Sequence, residues 1–211
     1  FATRLTGPPH SNWSIRFRKV LTLRSVSLVV VVADDPGMHS SQNEQDSRMH
    51  ARGSQVPMLE PSDSDECRAF TKLAFELSEK YDTPVFVRTT TRVAHARSVV
   101  HPQERVEAAL KPYQKDISKW VMMPGMAKGR HVVVEKRMND LAKDASSLPV
   151  NHVEMGDTKI GVICSGMAYQ YVKEVAPEIS VLKLGIVNPL PMDLIADFAR
   201  QVETLYVFEE L

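Results

Sequence analysis

Apolar positions along the chain fall into two blocks, each alternating strand-like and helix-like patterns. In the first block, residues 28–33 form a β-branched apolar run of strand length. An extended piece at 56–59, a helix and a second apolar strand beginning at Val85 follow, giving a strand–loop–strand–helix–strand unit. The buried face of the helix is predicted from residues at helical spacing, namely Phe70, Leu73, Ala74, Leu77 and Tyr81.

The boundaries of that helix carry recognisable signals. Residues 61–65 open it, Asp63 can cap its first turn, and Glu66 stands three residues later, as in a capping box. Pro84 ends it, because the residue before a proline is disfavoured in helical conformation. Between the first strand and this helix, residues 38–55 have few apolar side chains and are predicted to form a long polar loop.

The second block alternates more cleanly. We predict strands at 159–164, 180–187 and 204–208, the last of them buried, and helices at 169–175 and 193–202. Short connections between these elements indicate right-handed crossovers in a parallel sheet. Residues 101–157 between the blocks are polar and proline-punctuated and read as a linker with one helix, at about 130–146. The expected domains are therefore 28–100, a linker at 101–157, and 158–211.

Residues 1–27 differ from the rest because they contain five basic residues and no acidic one. An organellar transit peptide and a poorly ordered or out-of-frame extension both fit this composition. Either way, we expect little packing there. The chain begins at Phe1 and stops directly after an apparent strand, which we interpret as a fragment of a longer protein.

Composition excludes several classes of function. Charged residues make up 25% of the chain and sum to zero net charge, so neither a nucleic-acid nor a membrane partner is indicated. Cys67 and Cys164 lie far apart, which argues against a disulfide framework and favours a reducing, cytoplasmic location. Without a CxxC spacing, these residues cannot build a zinc or iron–sulfur site. Cys164 itself ends an apolar strand and reads as core.

Candidate chemistry concentrates in the loop after the first strand, where ligands bind in open α/β sheets. His39 is the candidate catalytic residue, because histidine is the side chain suited to proton transfer at neutral pH, although a loop histidine with no such role fits equally. Asp34 and Asp35 suggest a divalent cation, but no further oxygen ligands follow at a recognisable spacing, so no metal site is predicted. Arg48 and Arg92 could bind a carboxylate or a phosphate, or form ordinary ion pairs. His95 and Arg97 follow a strand in the same way.

Four strings resemble the alpha subunits of indolepyruvate ferredoxin oxidoreductases, which are thiamine diphosphate-dependent 2-oxoacid:ferredoxin oxidoreductases. They are ADDPGMHSSQNEQDSR at 33–48, PMLEPSDS at 57–64, TPVFVRTTTR at 83–92 and VFEEL at 207–211. The resemblance covers roughly residues 28–211, whereas residues 1–27 do not look like the family. It implies a partial thiamine-pyrimidine-type domain followed by a transketolase C-terminal-like parallel-sheet domain.

The resemblance also implies an activity, the oxidative decarboxylation of aryl 2-oxoacids to acyl-CoA with ferredoxin as electron acceptor. The intact enzyme would carry thiamine diphosphate, Mg²⁺ and 4Fe-4S clusters and a beta subunit, whereas this segment alone is expected to bind no cofactor and to be inactive. Gln42, Asn43 and Arg48 become the candidate cofactor-binding residues, and Arg88 and Arg92 the candidates for binding substrate. Two alternatives stay open, a related enzyme for another 2-oxoacid and a non-catalytic structural or subunit-interface module.

Overall fold

The computed structural model of this chain describes residues 27–39, 41–104 and 115–210. The strands form two four-stranded sheets with helices packed against them, which confirms the predicted α/β class. No helix in these ranges is long and apolar enough to cross a bilayer. The expectation for residues 1–27 lies outside the described residues except for Ser27, whose hydroxyl donates to Glu79 Oε1 at 2.7 Å.

The first sheet is parallel except at one edge. Its strands are β1 (Val29–Asp34), β2 (Met58–Leu59), β3 (Val85–Thr90) and β7 (Ile186–Asn188), in the spatial order β1–β3–β2–β7. β3 pairs in parallel with both β1 and β2, and β7 is antiparallel to β2. The register aligns Asp34 with Thr90, so the carboxyl ends of β1 and β3 lie side by side.

The second sheet is built around its longest strand. It contains β4 (His152–Glu154), β5 (Asp157–Ser165), β6 (Ile179–Leu184) and β8 (Thr204–Phe208), in the order β4–β6–β5–β8. β5 pairs in parallel with β6 and with β8, as predicted, and β4 adds an antiparallel edge to β6.

The helices are α1 (Arg48–Ser54), α2 (Ser64–Tyr81), α3 (Thr91–His95), α4 (Ile117–Trp120), α5 (Pro124–Ala145), α6 (Gly166–Val175) and α7 (Met192–Ala199). α1 corrects the prediction of an uninterrupted loop at 38–55. Its Ala51 is fully buried against the first sheet, and this single small apolar residue is too weak a signal to reveal a helix from the sequence.

The predicted start of the long helix α2 is confirmed. Asp63 accepts a hydrogen bond from the Glu66 backbone N–H at 2.8 Å, so it caps the helix. The reciprocal contact of a capping box is displaced by one residue, because the Glu66 carboxylate accepts from the backbone N–H of Ser62 instead. Phe70, Ala74 and Leu77 are buried against the first sheet, as their helical spacing predicts.

The segment predicted as a linker contributes to both sheets. α5 begins at Pro124, six residues before the predicted helix, and ends at Ala145, and Leu141 and Ala145 are fully buried in the core of the first sheet. β4, from the same segment, pairs with the second sheet. No observation on the described residues fixes the domain boundaries themselves, which stay a prediction.

The apolar run 180–187 is two strands, not one. Gly185 divides it, so β6 lies in the second sheet and β7 in the first. A Cβ on Gly185 would stand 2.2 Å from the carbonyl oxygen of Val150, and the Gly185 carbonyl accepts from the Glu60 backbone N–H at 2.9 Å. The chain therefore requires glycine at the position where it passes from the second sheet to the first.

β8 corrects another expectation. It pairs with β5 as predicted, but all five of its residues are exposed, including Val207 at 60% and Phe208 at 50%. The strand is an edge among the described residues, and its apolar composition does not by itself place it in the core.

Candidate functional site

A buried arginine organises the carboxyl ends of the first sheet. Arg88 on β3 has no exposed surface, and its Nε lies 2.5 Å from Asp34 Oδ2, while its Nη1 lies 2.7 Å from Glu60 Oε1. Asp46 is a third, more distant carboxylate, 3.9 Å from Nη2. These four residues form a buried charge cluster that joins β1, β2, β3 and the following loop.

The cluster is not fully satisfied within the described residues. Glu60 Oε2 and Arg88 Nη2 are buried without a hydrogen-bond partner there. Burial raises the pKa of Glu60, and the neighbouring charges of Arg88 and Arg48 offset only part of that rise. A buried ion pair with unused polar atoms is a costly arrangement.

The two aspartates after β1 brace the loop. Asp34 accepts from the Ser47 backbone N–H at 2.8 Å and from its hydroxyl at 2.6 Å. Asp35 Oδ1 accepts from the His39 backbone N–H at 3.1 Å and from the Thr91 hydroxyl at 2.7 Å. Within the described ranges, no group of three or more His, Cys, Asp or Glu side chains is arranged to hold a metal ion.

Arg48 ties the loop to the last residues of the chain. Its guanidinium group donates two hydrogen bonds to Asp46, of 2.9 and 3.1 Å, and its backbone N–H donates a third, of 3.0 Å, while its Nη1 lies 3.5 Å from Glu209. Burial would raise the pKa of Asp46, but the hydrogen bonds and charge of Arg48 outweigh it and hold that pKa below its ordinary value. Glu210 accepts from the Thr90 hydroxyl at 2.9 Å, so the closing string contacts the end of β3.

An open cleft of about 420 Å³ lies between α3 and α6. It is lined by His39, Thr91, Arg92, His95, Ala96, Met167 and Tyr171. The first five residues follow β1 or β3, and the last two belong to the helix that follows β5, so the cleft lies at the carboxyl ends of strands from both sheets. That edge is where open α/β sheets bind ligands.

The structure separates the predicted site residues into groups. His39 and Arg92 meet in the cleft, together with His95. Gln42 and Asn43 are exposed and do not line it, and the Asn43 side chain donates to the Glu44 carbonyl at 3.2 Å.

Arg48 and Arg88 lie in the ionic network beneath the loop. Arg88 has no exposed surface and pairs with Asp34 and Glu60 in this conformation, and binding of substrate there stays a prediction. Arg97 is exposed and does not line the cleft.

Three residues that the sequence did not single out belong to the site: Glu60, Met167 and Tyr171. A carboxylate in the short apolar string PMLEP was a usable signal for Glu60, because a charged residue beside buried positions requires a partner. Met167 and Tyr171 gave no such signal, since they reach the cleft from the other sheet.

The two sheets are joined beside the site by a buried lysine. Lys183 on β6 is 1% exposed, donates to Ser62 Oγ at 2.8 Å and forms an ion pair with Glu66. Nearby, Gly166 has a φ of +50°, and a Cβ there would lie 2.7 Å from Glu60 Oε1. The start of α6 therefore packs directly on the buried charge cluster.

Comparison with known proteins identifies related sequences. The model of the family described as "Pyruvate flavodoxin/ferredoxin oxidoreductase, thiamine diP-bdg" matches residues 23–153. The chain is 39% identical over 195 residues to indolepyruvate oxidoreductase subunit IorA of Thermococcus kodakarensis, covering 87% of this chain and 30% of that protein. It is 41% identical over 191 residues to the IorA subunit of Methanothermobacter thermautotrophicus, covering 87% and 31%. The chain thus spans about 30% of the length of these curated relatives.

Solved structures share the fold at low sequence identity. A 2-oxoglutarate:ferredoxin oxidoreductase from Magnetococcus marinus, solved with 2-oxoglutarate, coenzyme A and succinyl-CoA, gives a TM-score of 0.63 at 14% identity, over 92% of this chain and 42% of that chain. A split-gene transketolase, described as an inactive beta4 tetramer, gives 0.50 at 15% identity, over 86% and 47%. Both agree with the predicted fold class.

Proposed function

We propose that this chain works within an indolepyruvate:ferredoxin oxidoreductase. The premise is that the chain belongs to the pyruvate flavodoxin/ferredoxin oxidoreductase family of thiamine diphosphate-binding domains. That enzyme would oxidatively decarboxylate aryl 2-oxoacids to acyl-CoA. The observation that carries the proposal is the 39% identity to an indolepyruvate oxidoreductase subunit over 87% of this chain. The proposal also includes ferredoxin as electron acceptor, coenzyme A, Mg²⁺, 4Fe-4S clusters, a beta subunit and a cytoplasmic location.

A thiamine diphosphate site needs oxygen ligands for the divalent cation that normally holds the diphosphate. Among the residues that the structure describes, no group of three or more His, Cys, Asp or Glu side chains is arranged to hold a metal ion. The polar loop after β1 is suited instead to contact the organic part of a ligand at the edge of the sheet. When bound, the cofactor supplies the electron sink for decarboxylation.

The residues of this chain would bind and position the reactants. Arg92, whose side chain is 49% exposed in the cleft, supplies a cation for the carboxylate of a 2-oxoacid. His39 stands in the same cleft and can donate or accept a proton. The buried pairs of Arg88 with Asp34 and Glu60 keep the ends of β1 and β3 fixed beneath them.

A specific observation favours the second candidate, a structural or subunit-interface module. β8 exposes four apolar or aromatic residues in succession, from Leu205 to Phe208, with exposures of 38 to 60%. An exposed apolar strand at a sheet edge is suited to pair with further protein. The two functions are compatible in one enzyme, and mutagenesis of the loop separates them.

The experiment replaces His39, Gln42, Asn43 and Arg48 singly with alanine in the intact enzyme with its partner subunit. Oxidation of indolepyruvate and thermal stability are measured together. Arg200→Ala is the control, because Arg200 is exposed, directly follows α7 and does not line the cleft. We expect kcat/KM to fall about ten- to hundredfold wherever a lost contact stabilises the transition state by about 1–3 kcal/mol.

Gln42 and Asn43 give the sharpest result of the four. Both are exposed, so alanine should leave stability unchanged, and a loss of activity would report contact with a ligand. Activity near wild type in all four variants would contradict an active-site role for the loop. A parallel loss of stability and activity would favour the structural module.

A further inference from the structure

The cleft between α3 and α6 combines a cation with an aromatic surface. The Cζ atom of Arg92 lies 5.8 Å from the centroid of the Tyr171 ring. Within the described residues, the ion-pair contact of Arg92 is with Glu210 Oε1, at 3.6 Å from Nε, and none of its guanidinium N–H groups makes a hydrogen bond. A planar guanidinium has five donors in a fixed fork, so Glu210 leaves most of them available.

The other walls of the cleft support an organic anion rather than an inorganic one. His39 and His95 line the cleft together with Arg92, and a histidine has a ring N–H donor even when neutral. Met167 adds a polarizable apolar surface beside Tyr171. A volume of about 420 Å³ falls within the range of small-molecule sites.

We propose that this cleft is the site that selects aryl over alkyl 2-oxoacids, with Arg92 binding the carboxylate and Tyr171 contacting the aromatic ring. The proposal rests on the proposed function and assigns the substrate specificity of that enzyme to residues of this chain. In an arylpyruvate such as indolepyruvate, three single bonds of about 1.5 Å each separate the carboxylate carbon from the ring. One ligand can therefore reach Arg92 and Tyr171 together across their 5.8 Å separation.

The arrangement requires both sheets. Arg92 follows β3 in the first sheet, and Tyr171 lies on the helix after β5 in the second. An alkyl 2-oxoacid presents the same carboxylate to Arg92 but has no ring to offset the water displaced from Tyr171. Tyr171 is thus a specificity-determining residue, whereas Arg92 serves every 2-oxoacid.

The test measures kcat/KM of the intact enzyme, with its partner subunit and cofactors, for indolepyruvate and for 2-oxobutyrate. It also measures the inhibition constant of 2-oxobutyrate as a competitive inhibitor of indolepyruvate oxidation. Tyr171→Ala should lower kcat/KM for indolepyruvate about tenfold and change the 2-oxobutyrate values less than about twofold. Tyr171→Phe keeps the ring and should behave like wild type. Arg92→Ala should weaken both substrates about tenfold or more.

Phe75→Ala is the matched control, because Phe75 on α2 is 45% exposed and Tyr171 is 48% exposed, but Phe75 does not line the cleft. If Tyr171→Ala affects both substrates equally, or affects neither, the assignment of specificity to Tyr171 is wrong. Normal oxidation of indolepyruvate by the wild-type enzyme would still support the proposed function. A wild-type enzyme that does not oxidise indolepyruvate would refute both.

Discussion

Removing the charge of Arg88 tests the buried cluster most severely. Arg88→Met keeps most of the aliphatic stem but leaves Asp34 and Glu60, whose side chains are only 1% and 2% exposed, without their counter-charge. Removing one partner of a buried ion pair costs about 3–5 kcal/mol, because the remaining charge stays buried. Since whole domains are stable by about 5–15 kcal/mol, the variant should be close to unfolding.

The loss for the two carboxylates should not simply add. They share one partner, and energies of residues in one network are not additive. Burial already raises the pKa of Glu60 above its ordinary value, so without Arg88 this carboxyl group takes up a proton more readily. We therefore expect a total loss of about 4–6 kcal/mol at neutral pH, most of it from Asp34.

The sign of the pH dependence follows from the same reasoning. Without Arg88, the folded-state pKa of the Glu60 carboxyl group, already raised by burial, rises further above its unfolded value. Its stabilising contribution is then fully present below the unfolded pKa and is lost as pH rises through the folded pKa. Arg88→Met should thus be closest to wild type in mildly acidic solution and furthest from it at neutral pH.

Urea denaturation of the chain followed by circular dichroism measures these differences. Arg200→Met is the control, because Arg200 pairs with Asp197 on an exposed surface, and its loss should be barely measurable. Adding Asp34→Asn and Glu60→Gln to Arg88→Met removes the uncompensated charges and should restore part of the lost stability. A loss below about 1 kcal/mol, or a loss that does not depend on pH, would refute this reasoning.

Three further predictions concern the junction, one surface pair and the cofactor. Glu66→Ala should lower the melting temperature more than Lys183→Met, because it strands an ammonium group that is 1% exposed; the reverse order would count against a buried junction. The hydrogen bond from Lys173 lowers the pKa of Glu154, so Glu154→Gln should be less stable than wild type at neutral pH, by under about 1 kcal/mol. This difference in unfolding free energy should shrink as pH falls below 4.5. A difference that urea titrations find independent of pH would contradict the prediction. Calorimetry of the 211-residue chain with thiamine diphosphate and Mg²⁺ should detect no micromolar binding, and such binding would show that the chain alone suffices.

Local sequence signals were sufficient to predict helix ends and buried helix faces that depend on residues close together in the chain. The spacing of Phe70, Ala74 and Leu77 predicts the buried face of α2, and Asp63 predicts its first residue. These signals work because capping and helical periodicity act over three or four residues. The parallel pairing of β5 with β6 and with β8 follows from short connections in the same way.

Contacts between distant residues were beyond the sequence. Arg88 and Lys183 are both buried, and their partners Glu60 and Ser62 lie 28 and 121 residues away, a separation that no local sequence pattern spans. Gly185 sits inside an apolar run and looks like part of one strand, although it divides two sheets. The cleft was hidden for the same reason, because Tyr171 reaches it from the second sheet.

The most direct test of the central claim is the substrate preference of the purified enzyme that contains this chain, with its partner subunit. We would measure coenzyme A-dependent reduction of ferredoxin with indolepyruvate, phenylpyruvate, pyruvate and 2-oxoglutarate under identical conditions. The highest kcat/KM is expected for indolepyruvate, with phenylpyruvate next. A preference for pyruvate or 2-oxoglutarate, or no ferredoxin reduction with any of the four, would contradict an aryl 2-oxoacid oxidoreductase.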